Sequence, residues 1–140
     1  MTVKGQKLRL VRHQKRSPFV NLYDGKEKLK TLGLKTYLNW VGWVGANDGE
    51  GRAIVAYLDG KPIGVLRYNK DSPKTIWLNG TFVKHGYRHQ GIGPQLWNYM
   101  IKKEKVTRIG VAVSSRAGLR LVMGQKKRHP KIRFCIENNI

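Results

Sequence analysis

Hydrophobic residues alternate with polar ones, or cluster in short β-rich runs, along six stretches of the chain, which is typical of β-strands. Asp59-Gly60 is a strong hairpin signal between the second and third stretches. A polar turn over residues 70–74 follows, and Gly80 indicates a bulge or a close backbone approach in the next strand. The predicted strands span residues 7–12, 53–58, 62–68, 75–83, 106–113 and 131–136.

Apolar residues recur every three or four positions in two later stretches, and this spacing predicts amphipathic helices. The first helix spans residues 91–105, with Pro94 in its first turn, where proline is tolerated. The second spans residues 116–127, with Ser114 or Ser115 as its cap. The predicted apolar faces are Ile92, Leu96, Tyr99 and Met100 in the first helix, and Ala117, Leu121 and Met123 in the second.

Residues 19–44 have no regular hydrophobic period and predict one or two short helices, with breaks near Asp24-Gly25 and Gly33. Three aromatic residues lie three positions apart on one face of such a helix: Tyr37, Trp40 and Trp43. They either pack in the core or form an exposed aromatic surface, for example a stacking platform for bases. The order of all these elements predicts an α/β domain with a mixed sheet.

The junction between the strand at 75–83 and the first helix is rich in glycine. Because Gly91 and Gly93 have no Cβ, a ligand can approach their backbone N–H groups closely. The positive end of the helix dipole lies at the same place and favours an anion, for which phosphate is our expectation. Arg88 and His89 add side-chain donors at the rim. The alternative is an ordinary strand–turn–helix connection without a ligand.

Two common phosphate-binding motifs do not fit this junction. A dinucleotide fingerprint needs a third glycine where Leu96 stands, and a Walker loop needs Gly-Lys-Ser/Thr. The remaining pattern, Arg88-x-x-Gly91-x-Gly93, resembles the pyrophosphate loop of the GNAT superfamily, the N-acetyltransferases that use acetyl-CoA. Further matches to that family's pattern are Val83, Tyr87, Ile92 and Leu96.

The resemblance implies a fold. It implies one GNAT-like domain of the α/β (α+β) class over residues 1–140, with a mixed, mostly antiparallel sheet flanked by helices. Residues 1–52 would form a basic N-terminal strand and helical region. Residues 53–140 would form the sheet, the acyl-CoA loop and a basic C-terminal part. The resemblance is sharp over residues 83–96 and weak before residue 53.

The resemblance also implies an acetyl-CoA site. Backbone N–H groups between Arg88 and Gln95 would hold the CoA phosphates, and the splayed end of the preceding strand would hold the pantetheine arm. A backbone N–H on that strand would stabilise the oxyanion of the reaction. The aromatic residues near 37–43 would lie over the acceptor groove. The implied cofactor-binding residues are Phe82, Val83, Arg88, His89, Gln90, Gly91, Ile92 and Gly93, with Thr81 beside them.

The residues that usually transfer protons in this family are missing. Trp77 and Asn79 stand at the ends of the window where members often carry a glutamate base, and neither can act as a base. Leu121 stands in place of the tyrosine general acid, and Ser114 in place of the asparagine of the same motif. Protons then pass through water or another residue, or the chain keeps the fold without catalysis. The candidate catalytic residues are His85, Tyr99 and Ser114, with Tyr87 as a further candidate. Histidine has an ordinary pKa that suits a general base, although His85 could equally be a solvent-exposed residue at a strand end.

The charge of the chain adds a second expectation. Its 140 residues contain 28 Lys and Arg against 8 Asp and Glu, a net charge of +20. Residues 1–36 carry a net +8 and residues 81–140 a net +11, around a nearly neutral middle. CoA binding needs only a few cations, so the surplus predicts a polyanionic partner, with nucleic acid as the first candidate. Solubility alone is the alternative.

Other features narrow the compartment and the chemistry. The single cysteine, Cys135, excludes an internal disulfide, and we expect a buried, inert thiol in a reducing, cytoplasmic compartment. No apolar run is long enough to span a membrane, and the N-terminus has no apolar signal core. His85 and His89 have no cysteine or carboxylate nearby, so no metal site is expected. No paired-carboxylate or Ser–His–Asp arrangement stands out, which disfavours a hydrolase.

Three functions fit these features. The first is an acyl-CoA-dependent N-acyltransferase, acetyl above all, whose acceptor is an amine on or near a nucleic acid or on a protein bound to one. The second is a non-catalytic GNAT-fold protein that serves as a basic binding or structural module in a virion or ribonucleoprotein. The third, an acetyltransferase for a small polyamine or drug, ranks last because a strongly positive surface repels cations.

Overall fold

The computed structural model describes residues 2–3, 6–13 and 50–140. Its elements are β1 (Thr2–Val3), β2 (Gln6–His13), β3 (Glu50–Leu58), β4 (Lys61–Ser72), β5 (Thr75–Val83), α1 (Ile92–Glu104), β6 (Arg108–Val113), α2 (Arg116–Arg128) and β7 (Arg133–Asn138). Each strand and helix predicted within these ranges is present, and β4 continues through the first part of the predicted turn to Ser72. The helices predicted within 19–44, with Tyr37, Trp40 and Trp43, lie outside the described residues.

The strands form one sheet, in which β1 to β7 follow one another in chain order. Strands β1 to β5 pair antiparallel, whereas β5, β6 and β7 pair in parallel. Parallel neighbours require a crossover connection, and α1 and α2 provide the two crossovers. The predicted α/β class, with a mixed and mostly antiparallel sheet, is therefore confirmed. Neither helix among the described residues is long and apolar enough to cross a membrane.

The connection between β3 and β4 is the predicted two-residue hairpin. Asp59 and Gly60 have φ values of 49° and 83°. Positive φ at both central positions is what a type I′ turn requires. The backbone N–H of Asp59 also donates to the carbonyl of Lys7 at 3.2 Å, which ties the turn to β2.

Helix α1 packs its apolar face against the sheet. Its buried residues are Ile92, Leu96, Trp97, Met100, Ile101 and Glu104. Tyr99, which the spacing placed on this face, is only half-buried. The helix lies close to Gly64 of β4. A Cβ built at Gly64 would come within 3.4 Å of Ile92 Cγ2 in the helix and within 3.2 Å of the Phe82 carbonyl oxygen in β5.

Helix α2 begins as predicted but presents a different face to the core. The Ser115 hydroxyl accepts a hydrogen bond from the Gly118 N–H at 3.0 Å, which confirms it as the N-cap. Val122 and Gln125 are the buried residues of the helix. The predicted face was wrong for Ala117 and Met123, which are exposed because the helix turns the row containing Val122 toward the sheet. Leu121 is half-buried and packs against the core, as predicted.

Strand β7 lies at the end of the sheet and pairs with β6. Its side chains alternate, so that Phe134 and Ile136 pack against the core while Cys135 is exposed. The expectation of a buried Cys135 was therefore wrong. The pleat places adjacent residues on opposite faces, and the two larger apolar residues occupy the inner one.

The C-terminal end of α1 is held by a buried ionic cluster, which we call the Glu104 cluster. The Glu104 side chain is 3% exposed. Its carboxylate accepts hydrogen bonds from Arg52 Nη1 at 2.7 Å and from Arg12 Nη1 at 3.2 Å, and also from the Tyr68 hydroxyl. Lys70 Nζ lies 3.5 Å away. The cluster joins α1 to β2, β3 and β4.

These contacts determine the protonation state of the cluster. Burial alone would raise the pKa of Glu104. The hydrogen bonds from Tyr68 and Arg52 outweigh this effect, together with the positive charge of Arg52 and the hydrogen bond from Arg12, so that the pKa is lowered. Burial, followed by the hydrogen bond to Glu104, raises the pKa of the Tyr68 hydroxyl. Glu104 is therefore ionised and Tyr68 neutral at physiological pH.

Candidate functional site

Strands β5 and β6 separate toward their C-terminal ends. Their pairing runs from Thr75 and Arg108 to Leu78 and Val111, although β5 continues to Val83. On its other side, β5 has a register shift where Leu78 and Gly80 face successive residues of β4, which leaves Asn79 as an extra residue. The bulge predicted near Gly80 is therefore confirmed. A bulge bends its strand, and here it lies where the two strands part.

A small cavity of about 160 Å³ occupies the gap between the separated strands. Its lining residues are Leu78, Asn79, Gly80, Thr81, Trp97, Val111, Ala112, Val113, Ser114, Ser115, Gly118, Leu121 and Val122. None of these side chains carries a charge. The cavity is apolar apart from one amide, three hydroxyl groups, the indole N–H and the backbone.

The loop that follows β5 is shaped by residues with positive φ. Gly86, His89 and Gly91 have φ values of 98°, 62° and 80°. The Tyr87 N–H donates to the Lys84 carbonyl at 3.0 Å, and the Gln90 side-chain amide donates to the Gly86 carbonyl at 3.3 Å. The loop is thus closed on itself before α1 begins.

The backbone donors of this loop and of the first turn of α1 are unpaired. Within the part of the chain that the structure describes, the N–H groups of residues 88–93 donate to no acceptor, and the first helical bond is from Gln95 N–H to the Gly91 carbonyl at 3.2 Å. Gly91, the N-cap, has no side chain to cap the helix, and the first turn contains no acidic residue. The partial positive charge of the helix end is therefore not neutralised by this part of the chain.

These donors surround a cavity of about 600 Å³. It is lined by Thr81, Val83, Tyr87, Arg88, His89, Gly91, Ile92, Gly93, Pro94, Ser115, Ala117, Gly118 and Leu121. Thr81, Ser115, Gly118 and Leu121 also line the small cavity, so the two cavities adjoin. The arrangement can bind an anion at the helix end and a thinner, neutral group between the strands.

Arg88 is fixed at the rim of the large cavity. Its Nε donates to the Val83 carbonyl at 2.8 Å, and its guanidinium carbon lies 5.3 Å from the centre of the Phe82 ring. The side chain remains exposed. Its two terminal amino groups are available to an anion that enters the cavity.

The predicted site residues fall into three groups. Those that line the large cavity are Val83, Arg88, His89, Gly91, Ile92 and Gly93. Phe82 and Gln90 do not line it; Phe82 lies beneath Arg88, and Gln90 closes the loop. Among the catalytic candidates, Ser114 lines the small cavity. His85 is exposed and Tyr99 packs against the core, and both lie outside the lining of the two cavities.

Two polar contacts in the small cavity were not predicted from the sequence. The indole N–H of Trp97 donates to the Thr81 hydroxyl at 2.9 Å. The amide nitrogen of Asn79 is buried and has no acceptor within reach among the described residues. The sequence indicated the bulge near Gly80 but carried no signal for the pairing of Trp97 with Thr81, sixteen residues apart.

Comparison with known proteins connects this geometry to one family. A model described as the acetyltransferase (GNAT) family matches residues 10–117. An aminoglycoside acetyltransferase from an uncultured soil metagenomic sample, solved with sisomicin, is 16% identical with a TM-score of 0.58, and the match covers 86% of this chain and 87% of that one. No curated protein matches.

Two further structures share the fold. Ribosomal-protein-alanine N-acetyltransferase from Brucella melitensis biovar Abortus 2308 is 11% identical with a TM-score of 0.57, over 86% of this chain and 89% of that one. The acetyltransferase AAC(6')-Iy, solved with the bisubstrate analogue CoA-S-monomethyl-acetylneamine, is 16% identical with a TM-score of 0.52, over 84% and 88%. At these identities the likeness concerns the fold.

Proposed function

Because this chain belongs to the acetyltransferase (GNAT) family and is an N-acetyltransferase that uses acetyl-CoA, we propose that it acetylates an amine carried on, or held near, a nucleic acid or nucleoprotein. The proposed class of acceptor rests on one observation: residues 105–136 contain nine exposed Lys and Arg residues and no Asp or Glu. A reducing, cytoplasmic compartment belongs to the same proposal.

The residues at the end of α1 fit the phosphates of acetyl-CoA. The N–H groups of residues 88–93 have no acceptor in the part of the chain that the structure describes, and a phosphate supplies acceptors and negative charge at the same place. Arg88 adds a cation at the rim. Gly93 faces Leu121 across the cavity: a Cβ built at Gly93 would lie 3.7 Å from each Leu121 methyl group. Without that Cβ, the space between α1 and Leu121 stays open.

The bound cofactor supplies an acetyl thioester, and the small cavity lies where the chain would hold it. With the phosphates at residues 88–93, the arm would enter the gap beside Thr81 and Val83. The described lining of the gap carries no charged side chain and includes a few fixed donors, so it suits a neutral group.

The cations of residues 105–136 support a polyanionic partner. They are Lys105, Arg108, Arg116, Arg120, Lys126, Lys127, Arg128, Lys131 and Arg133, and all are exposed. Among the described residues, none of them takes part in an ion pair. Surface cations without carboxylate partners repel one another, and a phosphate backbone relieves that repulsion.

Helix α2 connects this surface to the site. Ser115, Ala117, Gly118 and Leu121, at the start of the helix, line the large cavity. Arg120 lies four residues after Arg116, and Lys127 lies seven residues, or two helical turns, after Arg120, so the three share the solvent-exposed face. A polyanion along that face would lie beside the cavity. We define Arg116, Arg120 and Lys127 as the α2 basic stripe.

The neighbours' acceptors bear on this proposal in two ways. One neighbour is named for a ribosomal protein, a component of a nucleoprotein. Another was solved with sisomicin, an aminoglycoside. An aminoglycoside carries several positive charges, which the exposed cations of this chain would repel. We therefore favour an acceptor associated with a polyanion.

The first test is calorimetric titration with acetyl-CoA after nucleic acid has been removed from the protein. We expect micromolar binding that is lost when Gly91 and Gly93 are both replaced by glutamate, with folding checked by circular dichroism. Absence of binding at millimolar acetyl-CoA would overturn the enzyme and favour the alternative, a non-catalytic basic protein of a virion or ribonucleoprotein.

The second test concerns the acceptor. Binding of a labelled oligonucleotide is followed by fluorescence anisotropy at several salt concentrations. The stripe variant is Arg116→Glu/Arg120→Glu/Lys127→Glu. The control variant replaces three exposed lysines elsewhere by glutamate: Lys61, Lys74 and Lys102. Both variants lose the same charge. We expect the stripe variant to lose at least about 30-fold in affinity, with a salt slope smaller by about 2–3. Equal losses would mean that net charge alone, and not the α2 basic stripe, attracts the oligonucleotide.

Acetyl transfer itself is then measured with radiolabelled acetyl-CoA and three macromolecular acceptors, protein-free RNA, DNA and ribosomes, beside a small polyamine and an aminoglycoside. Label in any of them that falls with the stripe variant supports the proposal. Label found only in small polyamines or aminoglycosides would overturn it.

A further inference from the structure

Among the residues that the structure describes, the lining of the small cavity has donors of hydrogen bonds but no group that can take up a proton. None of its lining side chains ionises near neutral pH, in a chain whose net charge is +20. His85, the candidate base, is not part of the lining. Whatever the cavity contributes to acetyl transfer must therefore come from hydrogen bonding.

Asn79 provides one donor. It is the extra residue of the β5 bulge and lines the cavity, and its amide nitrogen is buried without an acceptor. An unpaired buried amide costs about 1–3 kcal/mol. A ligand that brings an acceptor into the cavity removes that cost.

Thr81 provides the second donor. Its oxygen accepts the hydrogen bond from the Trp97 indole, which can only donate. The hydroxyl proton of Thr81 must therefore be directed to another acceptor. Thr81 also lines both cavities, so this proton lies where the large cavity meets the small one.

We infer that Asn79 and Thr81 are catalytic residues, whose side-chain N–H and O–H donate to the thioester carbonyl oxygen of acetyl-CoA. The inference rests on the proposed acetyl-CoA site. Donors held in place by the fold stabilise the negative charge that grows on this oxygen during attack.

The transfer balances without a protein base. The neutral amine nitrogen bonds to the carbonyl carbon, and the carbon–sulfur bond breaks. The nitrogen then loses one proton to water and the CoA thiolate gains one from water. The products are an amide and the CoA thiol. Asn79 and Thr81 donate hydrogen bonds throughout and end in the protonation states in which they began.

The test is the infrared carbonyl stretch of acetyl-CoA, labelled with carbon-13 at the carbonyl and bound to the protein. Hydrogen bonds to the oxygen lower its frequency. We expect the stretch to lie lower in the wild type than in Asn79→Ala, Thr81→Val or the double variant. Thr81→Ser keeps the hydroxyl and should restore the wild-type value. Asn139→Ala and Thr107→Val are matched controls outside both cavities, and should leave it unchanged.

Rates give a second readout. Thiol release by hydroxylamine, a small neutral nucleophile, is measured with saturating acetyl-CoA and corrected for the uncatalysed reaction. Loss of one oxyanion donor lowers kcat by about 10²-fold, and we expect this for Asn79→Ala and Thr81→Val, with the Kd of acetyl-CoA changed less than about threefold.

The outcomes separate this inference from the proposed function. Failure of the wild type to bind acetyl-CoA would overturn the proposed site itself. If acetyl-CoA binds but either single variant keeps the wild-type carbonyl frequency, the two-donor site is wrong while the cofactor site stands.

Discussion

The two ends of helix α1, which is thirteen residues and about 20 Å long, differ in how their charge is compensated. At the N-terminal end, the N–H groups of residues 88–93 have no acceptor among the described residues, and the first turn itself contains no acidic residue. At the C-terminal end, the Glu104 carboxylate is surrounded by two arginines, a lysine and a tyrosine hydroxyl.

This difference separates binding from stability within one element. A helix end that leaves its donors unpaired is available to a ligand but adds little to stability. A buried carboxylate with its hydrogen bonds made holds the helix to three strands but has no capacity left for a ligand. Changes at the two ends should therefore have effects of different kinds.

The largest expected effect is on binding. In Gly93→Glu, the Cβ fits in ordinary contact with Leu121, but a carboxylate enters the proposed phosphate site. We expect the Kd of acetyl-CoA to rise about 10³-fold, or about 4 kcal/mol, by charge repulsion. The melting temperature should not fall, because glutamate favours a helix N-terminus more than glycine does.

Gly93→Gln is the matched control for that variant, since it has the same shape and no charge. We expect it to weaken binding by less than about 10-fold. Equal losses for glutamine and glutamate, measured by calorimetry, would show that the cavity rejects volume and not negative charge.

The next effect is on stability. Glu104→Gln removes the charge that two arginines and a lysine surround, and we expect a loss of about 3 kcal/mol in the free energy of unfolding. The Kd of acetyl-CoA should stay within about twofold. Urea unfolding and calorimetry measure the two quantities.

Glu137→Gln, on the exposed outer strand β7, is the control and should change stability by less than about 0.5 kcal/mol. A Glu104→Gln protein of wild-type stability, or one that no longer binds acetyl-CoA, would contradict the separation of the two ends.

A smaller effect is expected from Tyr68→Phe. This change removes one hydrogen bond to a charged group and leaves the arginines in place, so we expect a loss of about 1.5 kcal/mol. Tyr57→Phe, in the neighbouring strand β3, is the comparison for a tyrosine outside the Glu104 cluster. Equal losses in urea unfolding would show that the hydrogen bond to Glu104 adds nothing.

The smallest expected effect is the pH dependence of the stability that Glu104 contributes to the folded chain. The pKa of Glu104 is lowered in the folded chain, so its contribution is fully present above the ordinary glutamate pKa of about 4.3. The contribution is lost as the pH falls through the folded pKa, because the unfolded chain takes up the proton first. Urea midpoints of the wild type and Glu104→Gln should therefore converge below about pH 4. Parallel curves down to pH 3 would contradict the lowered pKa.

Sequence reasoning succeeded where the signal is local. The strand over residues 75–83, the hairpin at Asp59-Gly60 and the cap at Ser115 follow from neighbours within a few positions. The loop motif from Arg88 to Gly93 is equally local, and six of the eight predicted cofactor residues line one cavity. Their roles in binding and catalysis remain predictions.

The failures concern which face an element presents. Met123 fits an apolar period that is one residue away from the buried row of α2, and Cys135 is exposed because the pleat of β7 turns Phe134 inward. Periodicity identifies an element more reliably than it identifies the side that its neighbours cover. That side depends on how helices and sheet pack in three dimensions.

The sequence by itself thus determined the class of the fold, the order of its elements, the glycine-rich loop before α1 and the large positive charge, because each depends on composition or short-range spacing. Only the tertiary structure decided the parting of β5 from β6, the two donors beside the bulge and the Glu104 cluster. The cluster joins residues up to 92 positions apart. Contacts over such distances leave no local pattern, since each partner alone is an ordinary polar residue in a strand or a helix.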